Sequence, residues 1–265
     1  MLVLKLLLTP LFIAGATLAG RKYGPIASGW LVGLPLTAGP VALFLALEQG
    51  TLFASRAAQS TLLGPISVAT YVLAYCWCSL RSGWFVCWLC SWSVFFVVTA
   101  IFNQLSVPVP VAFFAVVGFL LVALLMLPRE QEIVDKPSQV APQWDLAGRM
   151  LAATVMVVLL TGSAQSLGPR LSGLLSPLPL FSTILVLFTH HLQGGTAARS
   201  LLRGVVIGSF AYEVFFLIVT VLVEPRGILI AFSLALLGAL LTQGCTLWIL
   251  RGMPRPFSCR TKGAS

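Results

Sequence analysis

The chain has 265 residues, of which 58% are hydrophobic and 9% are charged. A soluble domain carries roughly 25% charged residues, so this composition excludes an ordinary soluble domain. Long apolar runs recur along the chain and predict an all-α, polytopic membrane protein, whereas a β-barrel would show short alternating segments. The net charge of +9 comes from basic residues scattered between the apolar runs. We interpret it as loop charge facing an anionic leaflet and predict no nucleic-acid partner.

Nine transmembrane spans are predicted, and their boundaries follow from the apolar runs. In chain order they cover about 2–20, 27–47, 61–80, 83–103, 106–127, 147–165, 171–191, 202–223 and 227–250. The one sizeable polar segment, Pro128 to Asp145, follows the fifth span and is too short for a domain.

An internal repeat relates the two halves at a shift of 144 positions. Gly24-Pro25 falls on Gly168-Pro169, Leu34-Pro35-Leu36 on Leu178-Pro179-Leu180, and Gln49-Gly50 on Gln193-Gly194. Between residues 24 and 64 there are 14 identities in 41 aligned positions. The repeat indicates four domain segments: a four-helix unit (1–104), a linking helix and polar loop (105–146), a second four-helix unit (147–251) and a basic tail (252–265).

The first helix resembles a secretory signal peptide, because Lys5 is followed by an apolar run and by Ala14-Gly15-Ala16. Its counterpart in the second half lies inside the chain, at residues 149–164. We therefore interpret it as a retained helix that also serves as a signal anchor.

The orientation follows from the positive-inside rule. With nine spans, 12 basic residues lie on one side and 4 on the other. The larger set is Arg21, Lys22, Arg81, Arg129, Lys136, Arg149, Arg199, Arg203, Arg251, Arg255, Arg260 and Lys262; the smaller is Lys5, Arg56, Arg170 and Arg226. If the fifth segment did not span, the split would be 11 to 5. The nine-span arrangement predicts an external N-terminus and a cytoplasmic C-terminus.

Equivalent helices of the two halves are five spans apart, an odd number, so they cross the membrane in opposite directions. The sequence thus predicts two inverted four-helix repeats, an arrangement typical of secondary transporters with a site between the repeats.

The second span of each half is rich in glycine and proline. In the first half it contains Gly33 and Pro35, and in the second half Pro177 and Pro179. Proline in a helix frees a carbonyl one turn earlier, and interrupted helices at matching positions indicate a transport site. The alternative is a kink that allows close helix packing.

Glu213 lies near the middle of the eighth span, where the equivalent first-half residue is Ala69. A carboxylate there is costly unless it is protonated, paired or hydrated, which makes it a candidate for proton coupling. Tyr212 and Tyr71 are candidate donors to it. The alternative is a protonated acid buried in a helix interface.

Other polar residues are weaker candidates. Glu48 and the His190-His191 pair end spans near the membrane surface, and adjacent histidines on a helix point about 100° apart and chelate poorly. Four cysteines lie near one hairpin, but C-x-C with C-x-x-C is not a standard zinc spacing, so we favour buried thiols over a metal site: Cys76, Cys78, Cys87 and Cys90.

Soluble-enzyme motifs are absent: the sequence has no P-loop, G-x-G-x-x-G, G-x-S-x-G or H-E-x-x-H. We therefore predict no enzyme activity, no cofactor and no metal.

The segment 171–183, with His190-His191-Leu-Gln-Gly-Gly and Gly204-Val-Val-Ile-Gly-Ser-Phe, resembles the GlpM-like small membrane proteins. The resemblance covers 147–250 and, more faintly, 2–103. It implies two fused four-helix units in a bacterial plasma membrane and an association with exopolysaccharide production. The architecture is also similar to that of drug/metabolite-type transporters. Glu213 and the cysteines have no place in the GlpM-like pattern.

Two functions remain open. The first is a secondary transporter or flippase for a small or amphipathic solute, with Glu213 as the coupling acid. Its site would be lined by the interrupted helices and the tyrosines: Gly33, Pro35, Tyr71, Pro177, Pro179 and Tyr212. The second is a non-transporting accessory or scaffold subunit of an envelope-polysaccharide system. The corresponding partners are membrane lipid with a small molecule or proton, and a second copy or an envelope-complex protein.

Overall fold

A computed structural model describes residues 2–35, 38–102, 104–105, 107–128, 144–155 and 179–252. Within these ranges all regular secondary structure is helical. Among the described residues, five helical stretches are long and apolar enough to cross a membrane: Thr51–Cys78, Trp84–Phe102, Val109–Met126, Gly195–Arg226 and Ile228–Ile249. These helices are compatible with the predicted multi-pass membrane protein. The polar linker beyond Pro128, the basic tail and Pro177 lie outside the described residues.

The first part of the chain contains seven helices. They are α1 (Leu2–Tyr23), α2 (Pro25–Val32), α3 (Ala38–Gln49), α4 (Thr51–Thr61), α5 (Gly64–Cys78), α6 (Trp84–Phe102) and α7 (Val109–Met126). The predicted second span is therefore two helices, α2 and α3, separated at Gly33-Leu34-Pro35. This break agrees with the missing N–H and fixed φ of proline.

The remaining described residues form four helices. They are α8 (144–155), α9 (Leu180–Gln193), α10 (Gly195–Arg226) and α11 (Ile228–Gly252). The predicted boundaries are wrong at two connections, 48–60 and 192–201, because most of those residues are helical. Single glycines make the turns instead: Gly50 has φ 87 and Gly194 has φ 89, a region that side chains other than hydrogen disfavour.

Helix boundaries recur at the same 144-residue shift as the sequence identities. α3 ends at Gln49 and α9 at Gln193, each followed by the positive-φ glycine. Likewise, α6 begins at Trp84 and α11 at Ile228. These helix boundaries thus coincide with the 144-residue shift of the aligned residues.

Helix α10 is the longest of the described helices, with 32 residues, and packs against α2, α4, α5, α7, α9 and α11. The hydrophobic core is divided along it. One cluster surrounds Leu201 and Val206 with residues of α5, α6, α7 and α9, and the other surrounds Phe216 and Val219 with residues of α4 and α11. α10 therefore joins elements of both halves.

Glycines bring α2 and α10 into close contact. A Cβ added to Gly29 would collide with the Leu201 carbonyl, and one added to Gly204 would collide with the Ile26 carbonyl. Gly33 likewise faces Gly208, whose Cα lies 2.5 Å from the position of an added Cβ. Small residues four apart on both helices allow the backbones to approach, as in other membrane helix pairs.

Candidate functional site

A cavity of about 80 Å³ lies where the α2–α3 break meets α5, α9 and α10. Its lining comes from both halves: Val32, Gly33, Leu34, Ala38, Gly64, Pro65, Val68, Pro179, Leu180, Phe181, Ser182, Val205, Ser209 and Tyr212. This volume accommodates a few water molecules and is smaller than a typical drug-sized ligand pocket of about 300 Å³ or more.

Three pairs of lining residues are equivalent under the 144-residue shift. They are Ala38 with Ser182, Pro65 with Ser209, and Val68 with Tyr212. In each pair the first-half residue is apolar and the second-half residue carries a hydroxyl. The lining thus includes matching positions of the two halves, and its side-chain hydroxyls all come from the second half.

The carbonyls freed at the end of α2 accept hydrogen bonds from other groups of the protein. The side-chain amide of Gln243 on α11 donates to the Trp30 carbonyl at 2.9 Å, and the Leu34 N–H donates to the Leu31 carbonyl at 3.3 Å. The Trp30 indole also donates to the Thr246 hydroxyl at 3.0 Å. Helix α11 therefore holds the interrupted helix in place, as backbone groups away from water require.

At the start of α9, Pro179 is linked to Tyr71 through Thr183. Both the N–H and the hydroxyl of Thr183 donate to the Pro179 carbonyl, at 2.8 and 2.7 Å. The Tyr71 hydroxyl lies 3.2 Å from the Thr183 oxygen and donates to it, since the Thr183 proton is already engaged. Tyr71 is fully buried and fixes the α9 end of the cavity.

Glu213 is fully buried on α10, and neither carboxyl oxygen has a hydrogen-bond partner. Thr220, two turns later on the same face, accepts a bond through its carbonyl from Ser55 on α4 at 3.0 Å. The Tyr212 hydroxyl also lacks a partner, so the suggested donation from Tyr212 or Tyr71 to Glu213 is not made.

Three of the predicted site residues line the cavity, and three other described ones do not. Gly33, Pro179 and Tyr212 line the cavity, whereas Pro35, Tyr71 and Glu213 are buried nearby without lining it. Sequence reasoning missed four polar contributors: Ser182, Thr183, Ser209 and Gln243. Their signal was weak, because Ser182 and Ser209 align with Ala38 and Pro65 and hydroxyls are common in membrane helices.

The weaker candidates lie elsewhere. Glu48 is exposed. The Tyr75 hydroxyl lies 3.0 Å from His190 Nδ1, and Trp84 meets His191 edge-on. Cys76 and Cys87 are buried, while Cys90 is exposed. Across the described ranges, no three His, Cys, Asp or Glu side chains converge as metal ligands.

Comparison of the chain with protein-family models, with curated proteins and with solved structures returns no match. The GlpM-like resemblance therefore stays a prediction from the quoted residues, and the function rests on the geometry alone.

Proposed function

We propose that the protein is a secondary transporter or flippase for a small or amphipathic solute. In this proposal two inverted four-helix repeats and the linking helix between them form nine spans of a bacterial plasma membrane, with the N-terminus outside and the C-terminus in the cytoplasm. The solute site is the cavity between the repeats.

The observation that supports this proposal is the composition of the cavity wall. Residues at equivalent positions of the two halves, such as Pro65 and Ser209, meet around one space at an interrupted helix. Transport sites of duplicated carriers occur at such repeat interfaces, near interrupted helices. The site has about 80 Å³ of space, and in this proposal it widens when one repeat moves against the other.

Glu213 is the proposed coupling acid. A buried carboxyl group with no hydrogen-bond partner is costly as an anion and becomes less so when water or a cation reaches it. Its neighbour Tyr212 lines the cavity with an unpartnered hydroxyl. A solute or water at Tyr212 would therefore lie next to the residue that exchanges the proton.

The test is proton uptake or release by purified protein exposed to a panel of solutes, with Glu213→Gln beside the wild type. We expect a solute-dependent proton signal in the wild type and its loss in the variant. Glu224→Gln is the matched control, because Glu224 is an exposed acid on the same helix, and it should keep the signal. A signal that persists in Glu213→Gln would remove Glu213 from the mechanism.

A second candidate is a non-transporting accessory subunit of an envelope-polysaccharide system. The observation that favours it is the apolar, aromatic surface of α6, where Phe85, Leu89 and Val97 are exposed. Crosslinking from Phe85 and Val97 in native membranes distinguishes the two functions. One reproducible protein adduct, without any solute-dependent proton signal, would favour the accessory subunit; adducts to lipid alone would favour the transporter.

A further inference from the structure

Arg199 is a buried arginine in the first turns of α10, with 8% of its surface exposed. Among the described residues its guanidinium donates to two neutral groups: Nη1 lies 3.4 Å from the Ser79 hydroxyl, and Nη2 lies 3.1 Å from the Thr196 hydroxyl. The Nε–H is buried without a partner. Burying a guanidinium is expensive unless an anion compensates it.

The other buried arginine shows what compensation looks like in this fold. Arg149 donates from Nε to Asp145 at 2.7 Å and from Nη1 to the Thr189 hydroxyl at 3.3 Å, and it stacks over Phe188. Over the described part of the chain, Asp145 is the acid of both ion pairs, and neither pair involves Arg199. Among the described residues, Arg199 therefore has no carboxylate partner.

The surroundings add further positive potential to the same place. Arg203 lies one turn later on α10 and donates to the Pro128 carbonyl at 3.4 Å, so two like charges are i,i+4 neighbours. The first turn of α10 has no side-chain cap. Within the described residues, the N–H groups of Gly195, Thr196 and Ala197 donate to no backbone carbonyl. Free amides and the helix dipole attract anions at a helix N-terminus.

The guanidinium is folded back onto this first turn. A Cβ added to Gly195 would lie 3.3 Å from Arg199 Nη1 and 3.5 Å from His190 Nε2. Glycine at position 195 leaves space at the first amide of α10, beside the Arg199 guanidinium and the His190 ring nitrogen. In the first half the residue equivalent to Arg199 is Ser55, which bonds to Thr220 instead, so this arrangement belongs to the second half alone.

We propose that the N-terminus of α10, with Arg199, Ser79 and Thr196, is a binding site for a phosphate group. A tetrahedral oxyanion accepts hydrogen bonds from a guanidinium and from helix amides at the same time. Trp77 and Trp84 are exposed on the neighbouring helices, as is typical of the membrane interface. The phosphate group is either that of a lipid headgroup or that of a soluble ligand. The proposal does not depend on transport.

The experiment measures thermal unfolding of the full chain in a glycosidic detergent that contains no phosphate. One arm compares sodium phosphate with sodium chloride at equal ionic strength. The other compares dioctanoyl phosphatidylglycerol with dioctanoylglycerol, which has the same chains and no phosphate. We expect the phosphate-bearing addition to raise Tm by about 2–4 °C. A response to the lipid alone assigns the phosphate to a headgroup, and a response to inorganic phosphate alone assigns it to a soluble ligand.

The variants separate binding from a merely structural role. Arg199→Gln should lose the response, and Arg226→Gln should keep it, because Arg226 is an exposed arginine at the far end of the same helix. Should Arg199→Gln fail to fold, Gly195→Ala takes its place. Its methyl group crowds the site and should raise the half-saturating phosphate concentration about tenfold. No response in the wild type, or an unchanged response in these site variants, overturns the proposal.

Discussion

The helical stretch Thr51–Cys78 and helix α10 are aligned by the 144-residue shift, yet they differ in continuity. The first is divided into α4 and α5 at Leu62-Leu63, whereas α10 runs unbroken from Gly195 to Arg226. At the division, Pro65 has no N–H for the Thr61 carbonyl, and its counterpart in α10 is Ser209. The missing N–H of Pro65 is thus one local cause of the division.

Around Leu62-Leu63, hydrogen bonds between residues three apart replace the bonds between residues four apart that an α-helix makes. The Leu62 N–H donates to the Gln59 carbonyl at 3.2 Å and the Ile66 N–H to the Leu63 carbonyl at 3.2 Å. In α10, by contrast, the Ser209 hydroxyl donates back to the Val205 carbonyl at 2.9 Å inside an intact helix. Two segments aligned by the 144-residue shift thus differ, because α10 is continuous and Thr51–Cys78 is divided.

The same two segments differ in polarity at aligned positions that are buried or line the cavity. Glu213 on α10 aligns with Ala69 on α5, and both are fully or almost fully buried. Tyr212 aligns with Val68, and both line the cavity. The second half therefore supplies the polar chemistry of the candidate site, while the first half supplies the interrupted backbone.

The largest expected effect comes from placing a proline in α10 at position 209, which aligns with Pro65. Ser209→Pro should destabilise the protein by about 3 kcal/mol or more, because it removes a hydrogen bond and introduces a clash in the middle of α10. Thermal unfolding in detergent measures the loss. Pro65→Ser is the reciprocal control and should change stability by less than about 1 kcal/mol, since proline is tolerated in the first turn of α5. Equal losses in the two variants would contradict this account.

A smaller effect is expected at the glycine contact between α2 and α10. Gly204→Ala should cost about 1–3 kcal/mol, because the added Cβ meets the backbone of Ile26 and Trp30. Gly118→Ala is the matched control, since nothing lies within 4 Å of its added Cβ in the exposed face of α7. It should be neutral or slightly stabilising. A tolerant Gly204 would mean that α2 is free to move away from α10.

The apolar runs predicted the helices well because burial in lipid demands long uncharged segments. The interruption at Pro35 was also predictable, since the missing N–H acts locally. The starts of α4 and α10 were not. Thr51, Arg56 and Arg199 are polar or charged residues that continue a helix past the apolar run, and hydropathy does not distinguish a helix end in water from a loop.

The cavity was predicted only in part, because its lining depends on which helix faces meet. Gly33 and Pro179 could be found from the repeat. The role of Gln243 could not, since it depends on α11 packing against the end of α2, 213 residues earlier in the chain. In the sequence, Arg199 is only one of the basic residues that indicate topology. Its burial depends on the packing of α5, α9 and α10.

The smallest expected effect concerns the carboxyl group that distinguishes α10 from α5. Glu213→Met keeps a similar side-chain length and removes two buried oxygens without partners. We expect it to stabilise the protein by about 1 kcal/mol, because an unsatisfied buried polar group is a cost that an apolar side chain avoids. Glu224→Met on the exposed end of α10 should leave Tm unchanged. A loss of stability in Glu213→Met would indicate that Glu213 makes a stabilising bond in the folded protein, which favours a packing role over proton coupling. A gain would mean that the carboxyl group is kept at the expense of stability, as is common for groups that act in function.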